Sequence, residues 1–183
     1  MTYEEQIQKE LYRWQKRMLR SPGLWERSSK AIQRKVNELY PQKVFDTITT
    51  TIKALVKAVL FGLEFIPKGK PLRNLDLKER DQKAFELLKT YKRVAAAEGA
   101  GTGAGGIVLG LVDFPALLAI KMKFLFELAH IYGHSTENYR ERLYLLFVFQ
   151  LAFSSQEKRP ATYYKLARWE ETIWVKRVST VFA

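Results

Sequence analysis

Apolar residues return at every third or fourth position along most of this chain, and no stretch alternates strictly as a half-buried strand would. Thr2 and Glu5 have the spacing of a capping box, and behind them Tyr3, Ile7, Leu11, Trp14 and Met18 share one side of a first helix. Lys9, Arg13, Lys16, Arg17 and Arg20 take its other sides, and Ser21-Pro-Gly23 ends it. A second basic amphipathic helix follows, with Leu24, Trp25, Ile32, Val36 and Leu39 on its apolar side. After Pro41 comes the longest clear pattern, from Phe45 through Ile48, Ile52, Leu55, Val56, Val59 and Leu60 to Leu63, which predicts a central core helix. Asp76 and Glu79 repeat the cap spacing and open a charged helix that carries Phe85, Leu87, Leu88 and Tyr91.

Six of the ten glycines fall between Gly99 and Gly110, in an uncharged run that leads to Asp113-Phe-Pro115. A helix over residues 115–132 is expected from there, capped by Asp113 and closed by Gly133 in a left-handed conformation. A further helix starts near Ser135 and Thr136, and a last one at Pro160. The pattern therefore predicts a compact all-α bundle of about six to seven helices around a glycine-rich helical centre, with residues 1–183 as a single domain.

Composition narrows the function. The chain has 183 residues, 47% of them apolar and 13% aromatic, which excludes a disordered chain and allows one sizeable core. It has no cysteine, so a thiolate metal site, a disulfide and a cysteine nucleophile are all excluded. The net charge of +12 is uneven: residues 1–93 carry 21 Lys and Arg against 11 Asp and Glu, whereas residues 94–153 carry 4 against 5. A basic half ahead of an almost uncharged centre favours an anionic partner, and a membrane surface suits it better than nucleic acid, because the aromatics occupy apolar stripes rather than stacking positions among the cations. No run reaches the length of a membrane span, and Met1–Gln6 is too polar for a signal peptide. A cytoplasmic protein, peripheral on the inner face of the plasma membrane, is the expectation.

Residues 101–106 match G-x-G-x-x-G in form, but helix-favouring residues precede them and no parallel-sheet pattern surrounds them, so dinucleotide binding is not expected. The glycines also recur four apart, which lets helices approach closely. Lys121 falls at the centre of the stripe made by Phe114, Leu117, Leu118, Phe124, Leu125, Leu128, Ile131 and Tyr132. A lysine there would need an acid such as Asp113 or Glu98, or a lipid phosphate that it reaches by snorkelling. The same three groups are the candidates for a catalytic reading, which would require them to converge. His130 and His134 are spaced as a helical zinc pair, yet Gly133 interrupts them and no Glu follows His130. With Lys123 and Glu127 they read as a solvated polar face. No metal, cofactor or catalytic residue is assigned.

These residues resemble the bacterial EcsC family. The likeness rests on Gly105-Gly106, Asp113-Phe-Pro-Ala-Leu-Leu118, Ile131-Tyr-Gly133 and Glu141-Arg142, with support from Tyr3-Glu-Glu, Trp14, Ile48-Thr-Thr-Thr-Ile-Lys53 and Trp169-Glu170. It implies a helical protein often encoded beside an ABC transporter, with no established enzymatic activity. It also implies a second small-residue apolar segment after the tryptophan-bearing tail, whereas this sequence stops at Ala183, short of that pattern. The binding positions carried over from the motif are Gly103, Gly105, Gly106, Asp113, Pro115 and Lys121. The expected membrane-facing set is Trp14 and Trp25 with Arg13, Lys16 and Arg17, on one exposed face. The expected partner is an anionic membrane surface or a transporter subunit. The alternatives are a helical domain enclosing an apolar or lipid ligand, or an enzyme using Lys121.

Overall fold

A computed structural model describes residues 1–20, 42–61, 69–102 and 106–171; at 98–102 and 106–113 it describes the backbone alone. The described residues are all-α, with six helices and no strand: α1 (Tyr3–Met18), α2 (Gln42–Phe61), α3 (Leu77–Thr102), α4 (Gly106–Ile131), α5 (Tyr139–Phe153) and α6 (Arg159–Ala167). The second basic helix expected around Trp25, and Gly103 and Gly105, lie outside the described residues. The chain divides into two compact units, one of residues 34–142 and one of residues 1–33 with 143–183.

In the unit of residues 34–142, α2 and α3 both pack on α4. Leu55 and Val59, one turn apart, are the buried face of α2. On α4 the buried residues are Leu118, Met122, Phe126, Ala129 and His130. Val59, Met122 and Phe126 have no exposed surface, and withdrawing each from water contributes roughly 1.5–3 kcal/mol. Asp76 caps α3 as expected. Its carboxylate accepts from the Glu79 amide at 2.8 Å while the Glu79 carboxylate accepts from the Asp76 amide at 3.0 Å.

Two expectations about α4 need correction. The helix starts at Gly106, nine residues before Pro115, and runs unbroken through Asp113 and Pro115. Asp113 is therefore an interior residue and not the cap. Proline has no amide hydrogen, so the carbonyl of Leu111 lacks its helical donor at that turn. The second correction is rotational. Lys121 is exposed, and the residues expected to flank it are only half-buried apart from Leu118. At about 100° per residue, the centre of the buried stripe lies roughly 110° away from Lys121.

The end of α4 is closed as its sequence predicts. Gly133 has φ +89°, the His134 amide donates to the Ala129 carbonyl at 2.9 Å, and the Gly133 amide donates to His130 at 3.0 Å. These are the two bonds of a Schellman turn, with glycine at the left-handed position. An added methyl at Gly133 would also come within 3.0 Å of an Arg80 Nη atom. Arg80 donates to the carbonyls of Leu75, Arg73 and Ile131 at 2.9, 3.3 and 3.4 Å, which fastens the loop before α3 to the last turn of α4. The Leu72 amide completes the junction by donating to His130 at 2.8 Å.

α5 begins three residues later than expected. The Asn138 side chain accepts from the Arg140 amide at 3.0 Å, and Thr136, an expected starting residue, has its hydroxyl on His130 instead. Arg142, in the first turn of α5, donates to the carbonyls of Thr136, Glu137 and Leu60 at 3.0, 2.6 and 3.1 Å. The bond to Leu60 places a cation on the C-terminal end of α2, where the helix dipole favours it.

In the other unit α1 meets α6. α1 opens with the expected capping box, Thr2 Oγ accepting from Glu5 at 3.3 Å and the Glu5 carboxylate accepting from the Thr2 amide at 3.0 Å. α6 starts at Arg159 with Pro160 in its first turn. The Ser154 and Thr162 hydroxyls lie 3.2 Å apart, and the Trp169 ring stands edge-on to Tyr144 and Phe147 at 5.3 and 5.6 Å.

Candidate functional site

The charge of α1 is segregated along its length. Glu4, Glu5 and Glu10 lie in residues 3–10 with Lys9 as the one cation, whereas residues 11–20 hold Arg13, Lys16, Arg17 and Arg20 and no acid. Acids near the N-terminus and cations near the C-terminus both suit the helix dipole, so the segregation also stabilises α1. All four cations are exposed. No residue of α1 is buried, and Leu11, Tyr12, Trp14 and Leu19 are exposed by 48%, 68%, 36% and 36%. An amphipathic helix thus leaves its apolar side largely uncovered among the described residues.

Trp14 is the most covered of these four along with Leu19, because its ring meets Tyr163 of α6 edge-on at 5.8 Å. Arg17 lies one turn beyond Trp14. Lys16 lies farther round, one turn beyond Tyr12, and Arg20 follows two residues past the end of the helix. Of the expected membrane-facing set, Trp14, Arg13, Lys16 and Arg17 are exposed, and Trp25 lies outside the described residues. Tyr12, Gln15, Lys16, Leu19, Arg20 and Tyr163 line an open groove of about 540 Å³. Periodicity could place Tyr12 and Lys16 together but not Tyr163, which arrives from a distant helix. Exposed Tyr12 and Tyr164 also differ from the expectation that aromatics occupy apolar stripes.

Of the motif positions of the centre, Gly103 and Gly105 lie outside the described residues, and at Gly106 and Asp113 the backbone alone is described. Gly106 is the first residue of α4, Asp113 and Pro115 lie inside it, Pro115 is exposed, and Lys121 points to the exposed side. Among the described residues, no cluster of His, Asp and Glu could hold a metal ion. The residues around the end of α4 instead hold the fold together. Tyr132 donates to Asp81, Tyr91 donates to Glu127 at 2.8 Å, and the Tyr91 ring packs on Phe124 at 5.4 Å. Burial, followed by the hydrogen bond to Glu127, holds the Tyr91 phenol protonated well above its ordinary range.

His130 is not on a solvated face. It is 6% exposed, its Nε2 is hydrogen-bonded to Thr136 Oγ1 at 2.9 Å, and a methyl on Gly69 would meet its Nδ1 at 2.5 Å. Glycine at 69 is thus required by close approach. His134 is exposed and faces Glu141 at 3.3 Å. Burial pushes the His130 pKa down, against the smaller opposing pull of the Glu127 and Glu137 carboxylates. The unfolded chain takes up a proton as pH falls through about 6.5 while native His130 resists it. Its contribution to stability is present above that pH and is lost as pH falls towards the lower native value. The urea midpoint is expected to drop between about pH 7.5 and pH 5.5, and His130→Gln should flatten that drop, since glutamine does not titrate. An equal drop in the variant would assign the pH dependence to other groups.

Among the described residues no helix is long and apolar enough to cross a membrane. No solved structure matches the fold. Among curated proteins, the chain is 43% identical to Protein EcsC of Bacillus subtilis (strain 168) over 170 residues, 93% of this chain and 72% of that relative. It is 21% identical over 191 aligned positions to Uncharacterized protein YdbA of the same organism, covering 94% of this chain and 70% of that relative. The model of the EcsC protein family matches residues 5–180. With nearly the whole chain matched, this protein belongs to the EcsC family.

Proposed function

We propose that this EcsC-family chain is a peripheral helical accessory protein at an anionic membrane surface on the cytoplasmic side, linked to an ABC transport system. The observation that carries the reading is α1, whose second half holds the exposed cations Arg13, Lys16 and Arg17 and no acid, with exposed Arg20 just past its end, and no residue of which is buried. A helix of this kind lies in the interface, its apolar side at the acyl boundary and its cations among the headgroups. Each cation near an anionic surface contributes about 1 kcal/mol, screened by salt. The transporter link rests on the family resemblance and not on any surface of the molecule.

Co-sedimentation of the full chain with vesicles tests the membrane reading. Binding to phosphatidylglycerol vesicles is expected at low ionic strength, with release at about 1 M salt, where the screening length is roughly 3 Å. Phosphatidylcholine vesicles should leave the protein in the supernatant. No sedimentation with either lipid, or equal sedimentation with both, would overturn the reading.

A further inference from the structure

The groove beside α1 has a composition that the amphipathic pattern alone does not require. Its cations are Lys16, in the last turn of α1, and Arg20, two residues past the end of that helix. Neither forms an ion pair with a described acid. Gln15 adds an amide that can both donate and accept. The rest of the lining is Tyr12, Leu19 and Tyr163, and no acid lines the groove. Two neighbouring cations and an amide beside an aromatic and aliphatic wall complement a molecule with an anionic head and an apolar body.

We infer that this groove seats one anionic phospholipid, the phosphate between Lys16 and Arg20 and the start of the acyl chains against Tyr12, Leu19 and Tyr163. The inference rests on the membrane reading above and makes it specific: one lipid held at a defined place, in addition to the diffuse attraction of a basic helix. Charge complementarity selects the head, because the Arg20 guanidinium can meet a phosphate with two parallel bonds and Lys16 can add a point charge. The apolar wall distinguishes a lipid from free phosphate, which has nothing to place against it. A space of about 540 Å³ falls in the range of small-molecule sites and takes a headgroup with its first methylenes.

The test uses the full chain and dihexanoyl phosphatidylglycerol below its micelle concentration, with binding read by calorimetry. Saturable binding is expected, reduced about tenfold or more by Lys16→Glu with Arg20→Glu, which removes both phosphate contacts. Arg13→Glu with Arg17→Glu makes the same change of net charge in the same segment outside the groove, and should alter it less than about threefold. All four positions are exposed and each variant places two acids at the basic end of α1, so both should melt slightly and similarly below the parent, and equal helical circular dichroism serves as the folding control. Inorganic phosphate should bind far more weakly than the lipid. Equal losses in the two variants, or vesicle binding without monomer binding, would overturn the groove while leaving the membrane reading in place. Equal affinity for inorganic phosphate would overturn the lipid as occupant. A single-stranded oligonucleotide that binds through Lys16 and Arg20 when the lipid does not would reassign the surface. Failure of the parent chain to sediment with any anionic vesicle would remove the membrane reading and this inference together.

Discussion

Phe126→Ala is expected to cost the folded chain about 3–5 kcal/mol, seen as a lower urea midpoint with little change in slope. Phe126 has no exposed surface, and Met122, one turn away on α4, has none either. The loss combines the transfer energy of the ring with the cavity left behind. α2 and α3 both pack on α4, so the gap has neighbours held in place by further contacts of their own, and collapse into it is restricted. Since a domain of this size is typically stable by only about 5–15 kcal/mol, the variant should sit near the edge of folding. Lys121→Ala on the same helix is the matched control, with an expected effect below about 1 kcal/mol because Lys121 is exposed. Together the pair fixes the rotation of α4. A large effect at Lys121 with a small one at Phe126 would mean that the helix faces the other way.

Arg142→Met is expected to destabilise by about 3 kcal/mol, more than its side-chain volume would suggest. The guanidinium donates to three carbonyls, two in the turn before α5 and one at Leu60, at the end of α2. Methionine keeps the stem and withdraws every donor, so partly buried carbonyls lose their partners. Arg142→Lys should recover only a small part of the loss, because an ammonium on a single stem cannot span carbonyls that a planar fork reaches at once. Hydrogen exchange adds a local readout: amides in the last turn of α2 should exchange faster in both variants, whereas those of α1 should be unaffected. Full rescue by lysine would mean that charge near the helix end, rather than the fork, is what matters.

What the sequence disclosed follows the range of the interactions concerned. The caps at Thr2 and Asp76 and the turn at Gly133 are settled within a few residues, so their spacing alone revealed them. α4 was misread twice because its signal is weak where it counts. It is apolar on nearly every side, which leaves the direction of the buried face undetermined by periodicity, and the core took Met122 and Phe126 while Lys121 turned outward. Pro115 resembled a helix start because proline favours the first turn, but the helix begins nine residues earlier and Pro115 lies in its interior. His130 was hidden for another reason. Its partner Thr136 and its close neighbour Gly69 are ordinary residues whose significance appears only once the loop before α3 reaches the end of α4.

The resemblance-bearing residues divide in the same way. Tyr132, Gly133 and Arg142 have structural tasks at the end of α4 and the start of α5, which accounts for their part in a recognisable block. On α1, the exposed cations Arg13, Lys16 and Arg17 were legible from amphipathic spacing, and the groove wall from Tyr163 was not, because it depends on a helix far along the chain.

The junction at the end of α4 also sets how the unit of residues 34–142 can loosen. Carbonyls of the last α4 turn accept from the Leu72 amide and from Arg80, and Arg80 holds the loop that leads to the Asp76 cap. Fraying at this point therefore releases the approach to α3 in the same event, and neither helix end has a private opening of its own. The loop, the α3 cap and the closing turn of α4 behave as one cooperative element, so the stability of a short connecting segment is that of the helices it joins.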